Sequence, residues 1–315
     1  MANTWTAAYA DIRMNDNARF RTQMDFISTS IQSAGWTQTA DTGQIDFATV
    51  AAPGAASTFM GYEIFYSGNT NGPRLYMKLE YGSAFNSSAK GFRVNFGTGS
   101  DGAGALKGGS APTGGVFSEP SVPGLLVQQA TGLAIFSATA AGGNAGDDYI
   151  CGTAERLCVA CCDDANQTFN TAWGLTRMHD ASGTDTSNGW IFWNWSYNVV
   201  GKTVVMPFSS GSVPLYSLVD SPPPQLYIVR HVGDATHIPV KPIYWLGNDI
   251  TREGIFMPLR DVIVMPTALA ADRTQHSVSH VGATRNFITV YGNVTAATVW
   301  GVASPAAQSL AMRYD

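Results

Sequence analysis

The stretch Arg74-Leu-Tyr-Met-Lys-Leu-Glu-Tyr81 decides the fold class. In an extended chain Leu75, Met77, Leu79 and Tyr81 share one face, and Arg74, Tyr76, Lys78 and Glu80 share the other. A period of two with one charged face predicts a strand of an antiparallel sheet that is covered on one side and wet on the other. Phe92, Val94 and Phe96 repeat the pattern downstream, and Tyr62 to Tyr66 precedes it across the turn-forming Asn69-Thr-Asn-Gly72. Further strands are predicted at 44–50, 132–139, 157–162, 173–178, 189–197 and 203–208. Beyond residue 220 they are predicted at 226–230, 243–246, 254–265, 287–291 and 308–314.

One segment breaks this rhythm. Between about 15 and 35, Phe20, Met24, Ile27 and Ile31 recur at helical spacing and make a single apolar stripe. Asn15 or Asp16 can cap its start and Gly35 can end it. The expected fold is therefore mainly β: antiparallel β-sandwich or barrel-like sheets, one N-terminal amphipathic helix packed on a sheet, and long Gly-rich loops. Ser221-Pro-Pro-Pro224 is the best linker candidate. It divides the chain into a β-rich region 1–220 and a smaller β-rich region 225–315, unless the two form one continuous domain.

Composition narrows function more than it names it. The 315 residues contain 33 Gly and 15 Pro, and only 13% are charged, about half the usual share. Long charge-laced helices are excluded for most of the chain. The net charge is −5, with no run of basic residues, so no nucleic-acid partner is expected. Only 5 of the 18 basic residues are Lys, the residue that interfaces most often exclude. The first residues have neither a basic cluster nor an apolar run, and no stretch reaches the roughly 18 apolar residues of a membrane helix. The expectation is a soluble chain folded in a cytosol, with no membrane partner.

No segment nominates a catalytic, cofactor-binding or metal residue. Gly97-Thr-Gly-Ser-Asp-Gly102 follows a strand and matches a dinucleotide fingerprint, but Ala103-Gly-Ala-Leu-Lys-Gly-Gly109 cannot open the required helix. A turn is expected there, with neither nucleotide nor calcium bound. Asp180 to Gly189 is rich in oxygens but lacks the spacing of a calcium loop, so a solvated hairpin loop is expected. Cys158 and Cys161 have the spacing of half a zinc site without a second pair. With Cys151 and Cys162 they read as reduced, small apolar residues of a buried strand. His276 and His280 on a strand would lie about 13 Å apart, too far to share a metal. Carboxylates give no spacing that suggests a glycosidase pair, although distant strands could assemble one.

Several segments, taken in order, resemble a group of tailed-bacteriophage virion structural proteins. They are Gly35-Trp36 with Thr42-Gly-Gln-Ile-Asp46, Met77-Lys-Leu-Glu-Tyr-Gly82, and Gly97 to Gly104. Arg177 to Thr186 with Gly189, Phe256-Met-Pro-Leu-Arg260 and Ala311-Met-Arg-Tyr314 complete them. The resemblance implies a non-enzymatic virion component assembled in a bacterial cytoplasm, in or near the tail or its fibre attachment, with no catalytic site to carry over. Its partners would be copies of itself, as a trimer or a ring, and other virion proteins. The Cys161-Cys162 and Pro222 to Pro224 segments fall outside the resemblance. Alternatives are a capsid decoration protein, a depolymerase, or a module binding a host-surface glycan through Trp190, Trp193, Trp195 and Tyr197.

Overall fold

A computed structural model describes residues 6–11, 17–51, 59–68, 74–83, 90–107, 134–136, 146–163, 171–179, 185–195, 204–207, 241–246, 256–266, 274–280, 283–294 and 308–315. The chain opens with β1 (Thr6–Asp11) and α1 (Asn17–Ser33), followed by β2 (Thr37–Gln38), β3 (Phe59–Tyr66), β4 (Tyr76–Ser83) and β5 (Lys90–Gly97). Two short strands, β6 (Gly99–Ser100) and β7 (Leu106–Lys107), form a hairpin, and β8 (Ala134–Phe136) follows. Next come β9 (Gly146–Thr153), β10 (Arg156–Asp163), β11 (Thr171–His179), β12 (Asp185–Trp195) and β13 (Val204–Pro207). The last group is β14 (Lys241–Leu246), β15 (Phe256–Pro266), β16 (Gln275–His280), β17 (Ala283–Val294) and β18 (Gln308–Arg313).

Apart from the two-stranded β6–β7 hairpin, these strands make three antiparallel sheets. The first has the order β2-β3-β4-β5-β8, the central one β1-β9-β10-β11-β12-β13, and the third β14-β15-β18-β17-β16. Among the described residues the protein is mainly β with one helix near the N-terminus, as the alternation and the helical spacing of Met24, Ile27 and Ile31 predict. Every described strand of the third sheet comes after the Pro222 to Pro224 segment, which itself lies outside the described residues.

The helix lies between the first and central sheets. Met24, Ile27 and Ile31 are fully buried, in one cluster with Phe65, Met77, Leu79, Tyr81 and Val94 of the first sheet and Ile150, Leu157, Val159, Leu175 and Trp190 of the central one. Burial of each such side chain contributes about 1.5–3 kcal/mol. The Phe20 side chain lies outside the described residues. Two covered faces also explain the buried polar residues of α1. Gln23 donates to Asp148 of the central sheet (2.5 Å), and Ser28 donates to Glu63 of the first (2.7 Å).

Gly35 ends the helix as the spacing predicts. It has φ +99°, and its N–H donates to Gln32 O while Trp36 N–H donates to Ile31 O. This pair of bonds is the Schellman motif. It turns Trp36 into the core, where its Nε1 donates to Thr153 O across the layer (3.1 Å).

The central sheet is covered on its other face too. Cys158 Sγ approaches Asp261 O of β15 (3.9 Å), and Tyr149 meets the ring of Tyr314 edge-on. Asp261 is buried, with Arg313 Nη1 at 3.7 Å from its Oδ1. The third sheet has its own apolar cluster of Ile263, Phe287 and Ala311.

Some expectations need correction. Residues 44–50 are not a strand, and 47–49 form a turn. Asp46 accepts the Ala48 N–H and the Thr49 hydroxyl on its own carboxylate, and the Thr49 and Val50 N–H on its carbonyl. A short acidic side chain offers the backbone local partners that compete with a ladder. The polar segment before Asn188 is strand from Asp185 onward, because it pairs with β11 up to His179↔Asp185. The Gly-rich segment from Gly97 contains the β6–β7 hairpin, and β1, β9 and β16 are strands that the sequence pattern did not single out. The predicted strand at 226–230 lies outside the described residues.

Candidate functional site

Three polar clusters could carry chemistry. The first joins residues 41–46 to the β6–β7 hairpin. Asp41 Oδ2 accepts from Ser100 Oγ and from Gly104 N–H (2.9 Å). Thr42 N–H donates to Gly102 O (3.0 Å), and the Tyr62 hydroxyl donates to Thr42 O (2.5 Å). The hairpin tip is held internally by Asp101, whose Oδ1 accepts from Ala103 N–H and Ala105 N–H. Gly104 has φ +98°, and a Cβ there would stand 2.4 Å from the Tyr62 ring. Gly97 and Gly99 therefore lie in strands, Asp101 to Gly104 make a tight turn with Gly104 under an aromatic ring, and the chain opens no helix there.

Burial works to raise the Asp41 pKa, but bonds from Ser100, Thr39, Gly104 and Gly102 outweigh it, and the net shift is below the ordinary 3.8. The stability this carboxylate contributes is present above pH 3.8 and is lost as pH falls through its lower folded value. Asp41→Ala would leave the buried Gly104 N–H and the Ser100 hydroxyl without their acceptor. The expected loss is about 1–3 kcal/mol in urea unfolding, with faster amide exchange at Gly104. An unchanged midpoint and unchanged Gly104 exchange would refute the clamp.

The second cluster is an aromatic and cationic stack in the core. Arg177 is 1% exposed, with its guanidinium 5.4 Å from the centre of the Trp190 ring. Its Nη1 is 3.6 Å from Glu155 Oε1, and its N–H donates to Glu155 O (3.1 Å). Trp190 in turn meets Trp36 with ring centroids 5.8 Å apart. Trp190 is 1% exposed, so a glycan-binding face made from this strand loses its first aromatic residue. The side chains of Trp193 and Trp195, and all of Tyr197, lie outside the described residues. In register, Trp193 and Trp195 stand opposite Gly174 and Ala172.

The third cluster is Glu63 with Ser28, Gln38 and Tyr81, between α1 and the first sheet. Sequence spacing could not reveal it, because its members come from four separate elements.

Cys151 and Cys158 are buried thiols directly opposite each other in the β9–β10 ladder. They face the third sheet, while Leu157 and Val159 face the helix, as the alternation predicts. The side chains of Cys161 and Cys162 lie outside the described residues. Burial pushes the Cys158 thiol well above its ordinary value, and Asp261 adds to the shift. Because the thiolate is the reactive species, Cys158 should alkylate roughly 100-fold more slowly in the native protein than in urea. Mass-mapped labelling at equal rates in both conditions would refute this.

His276 is buried and opposite Phe287, and burial lowers its pKa. The backbone of His280 ends the same strand, and its side chain is outside the described residues. Residues 180–184 of the oxygen-rich loop are also outside them. Among the described residues, no group of three or more His, Cys, Asp or Glu is placed to hold a metal. No helix among them is long and apolar enough to cross a membrane.

Compared with known proteins, the chain matches no family model and no curated protein.

Proposed function

We propose that the protein is a non-enzymatic structural component of a tailed-bacteriophage virion, acting by homo-oligomeric assembly in or near the tail. One observation carries this reading. Two of the segments that resemble phage structural proteins, 42–46 and 97–104, are bonded to each other although far apart in sequence. Thr42 N–H donates to Gly102 O, and the Tyr62 hydroxyl caps Thr42 O. Arg177 and Gly35-Trp36 both bear on the core around Trp190. In each case the resembling residues fix turns and layers, which supports a structural role for them.

The low charge of the chain supports the same conclusion, since covering such a surface costs little desolvation. Cyclic assembly pairs or shields sheet edges, and a trimer is the first expectation, with a ring around the tail as its rival. The test combines the mass of the purified protein in solution with electron microscopy of particles from the source virus. An oligomer, with its density in the tail, is expected. A stable monomer that is absent from purified particles would overturn the proposal. Density on the capsid shell would keep the assembly and replace the tail with capsid decoration.

A further inference from the structure

Glu63 occupies the inner face of β3, where it is 2% exposed. Its Oε1 accepts from Ser28 Oγ of α1 (2.7 Å) and from Gln38 Nε2 of β2 (3.0 Å). Its Oε2 is hydrogen-bonded to the Tyr81 hydroxyl of β4, which is itself fully buried. One carboxyl group thus joins four elements, and all three donors are neutral. The charged group that bears on it is Asp25, one helical turn before Ser28, and its sign is the same. No Lys, Arg or His among the described residues is placed to offset the charge. A buried carboxylate without a cation is costly, whereas a carboxylic acid in the same place is neutral and can donate a bond of its own.

We propose that Glu63 is a proton-operated latch that holds α1 against the first sheet while protonated and loosens it when ionised. The helix is the element that the first and central sheets share, so a change in its attachment reaches both. The latch is a property of this chain wherever in a particle it acts.

Burial pushes the Glu63 pKa up from an ordinary 4.5 to about 7. Bonds from Tyr81 and Ser28 pull against this, and Asp25 pushes with it. A folded value raised above the unfolded one means that the stabilisation is full below about pH 4.5 and is lost as pH rises through about 7. The sign is opposite to that of Asp41.

The experiment uses the full chain. Infrared spectra should show a neutral carboxyl stretch at pH 6 that disappears at pH 8.5 and is absent in Glu63→Gln. Protection of the α1 amides, corrected for intrinsic exchange, should fall about tenfold between those two pH values in the wild type and stay level in Glu63→Gln. If Glu63→Gln does not fold, Ser28→Ala and Tyr81→Phe each remove a hydroxyl that favours the ionised form, so the carboxyl band should titrate at higher pH in both. Absence of the neutral band at pH 6 would overturn the proposal. So would equal pH dependence of α1 exchange in wild type and Glu63→Gln, or unmoved band midpoints in the hydroxyl variants.

Discussion

Ile27→Asp should abolish cooperative folding. Ile27 is fully buried and lies on the helix that both the first and central sheets cover, so the new carboxylate would meet apolar surface from two layers. An unpaired buried charge costs several kcal/mol, and the lost isoleucine adds about 2–5 kcal/mol. Together these approach the whole stability of a typical domain, about 5–15 kcal/mol. The expected result is aggregated or unfolded protein by circular dichroism and light scattering, while Ile27→Val remains folded with a loss of about 1 kcal/mol. A soluble Ile27→Asp variant with unchanged melting would show that the helix stripe is not core.

Trp190→Ala should also be strongly destabilising, second only to a charge placed on the helix stripe. It removes an indole that meets both the Trp36 ring and the Arg177 guanidinium. Truncating a buried Trp costs about 3–5 kcal/mol through lost transfer energy and the cavity left behind. Arg177 would also lose the ring that its charge faces, leaving Glu155 as its nearby carboxylate. Trp190→Phe, which keeps a ring, should lose less than half as much in chemical denaturation. Equal losses in the two variants would refute this ranking, because phenylalanine keeps most of the buried ring volume that alanine removes.

The fold class was legible because the strongest signal in the sequence is also the deepest feature of the structure. Leu75, Met77, Leu79 and Tyr81 are all fully buried, as their alternation requires. The opposite face of β4 is drier than alternation suggests. Glu80 is buried and Lys78 half-buried, the two in ion contact at 3.1 Å. Alternation reports which face is more apolar, and it cannot report that neighbouring strands will bury polar side chains against it, as Asn95 of β5 does for Glu80 and Tyr62 of β3 for Lys78. Ile45 and Phe47 show the converse error. Their apolar character is real, since both pack against the core and Phe47 meets Tyr81 edge-on. Asp46 between them turns the chain locally, so the residues reach the core from turns and not from a ladder.

β9 was hidden because Asp147 and Asp148 stand at its start, and only the structure shows Asp148 buried against Gln23. The Glu63 cluster was less legible still. Ser28, Gln38, Glu63 and Tyr81 are ordinary residues at unrelated spacings, and they meet only because α1 crosses the first sheet. By contrast, the tight turn after Ser100 could be read from local chemistry, since Asp101 accepts from Ala103 and Ala105 only a few residues on.

The pairing of β1 with β9 has a consequence for synthesis. Thr6 lies opposite Gly152, and Asp11 opposite Asp147, so the first strand of the chain finds its partner only after most of the first half has been made. At translation rates of about 5–20 residues per second, α1 and β2 to β5 leave the ribosome roughly two to twenty seconds before that partner exists, whereas β8 precedes it by only about a second. Throughout this interval the helix has one face covered and the other bare, with Gln23 still lacking Asp148. The nascent chain therefore carries an apolar surface that only its own later segments can close. Slower growth temperatures or added chaperone capacity should raise the soluble yield without changing the stability of the finished protein.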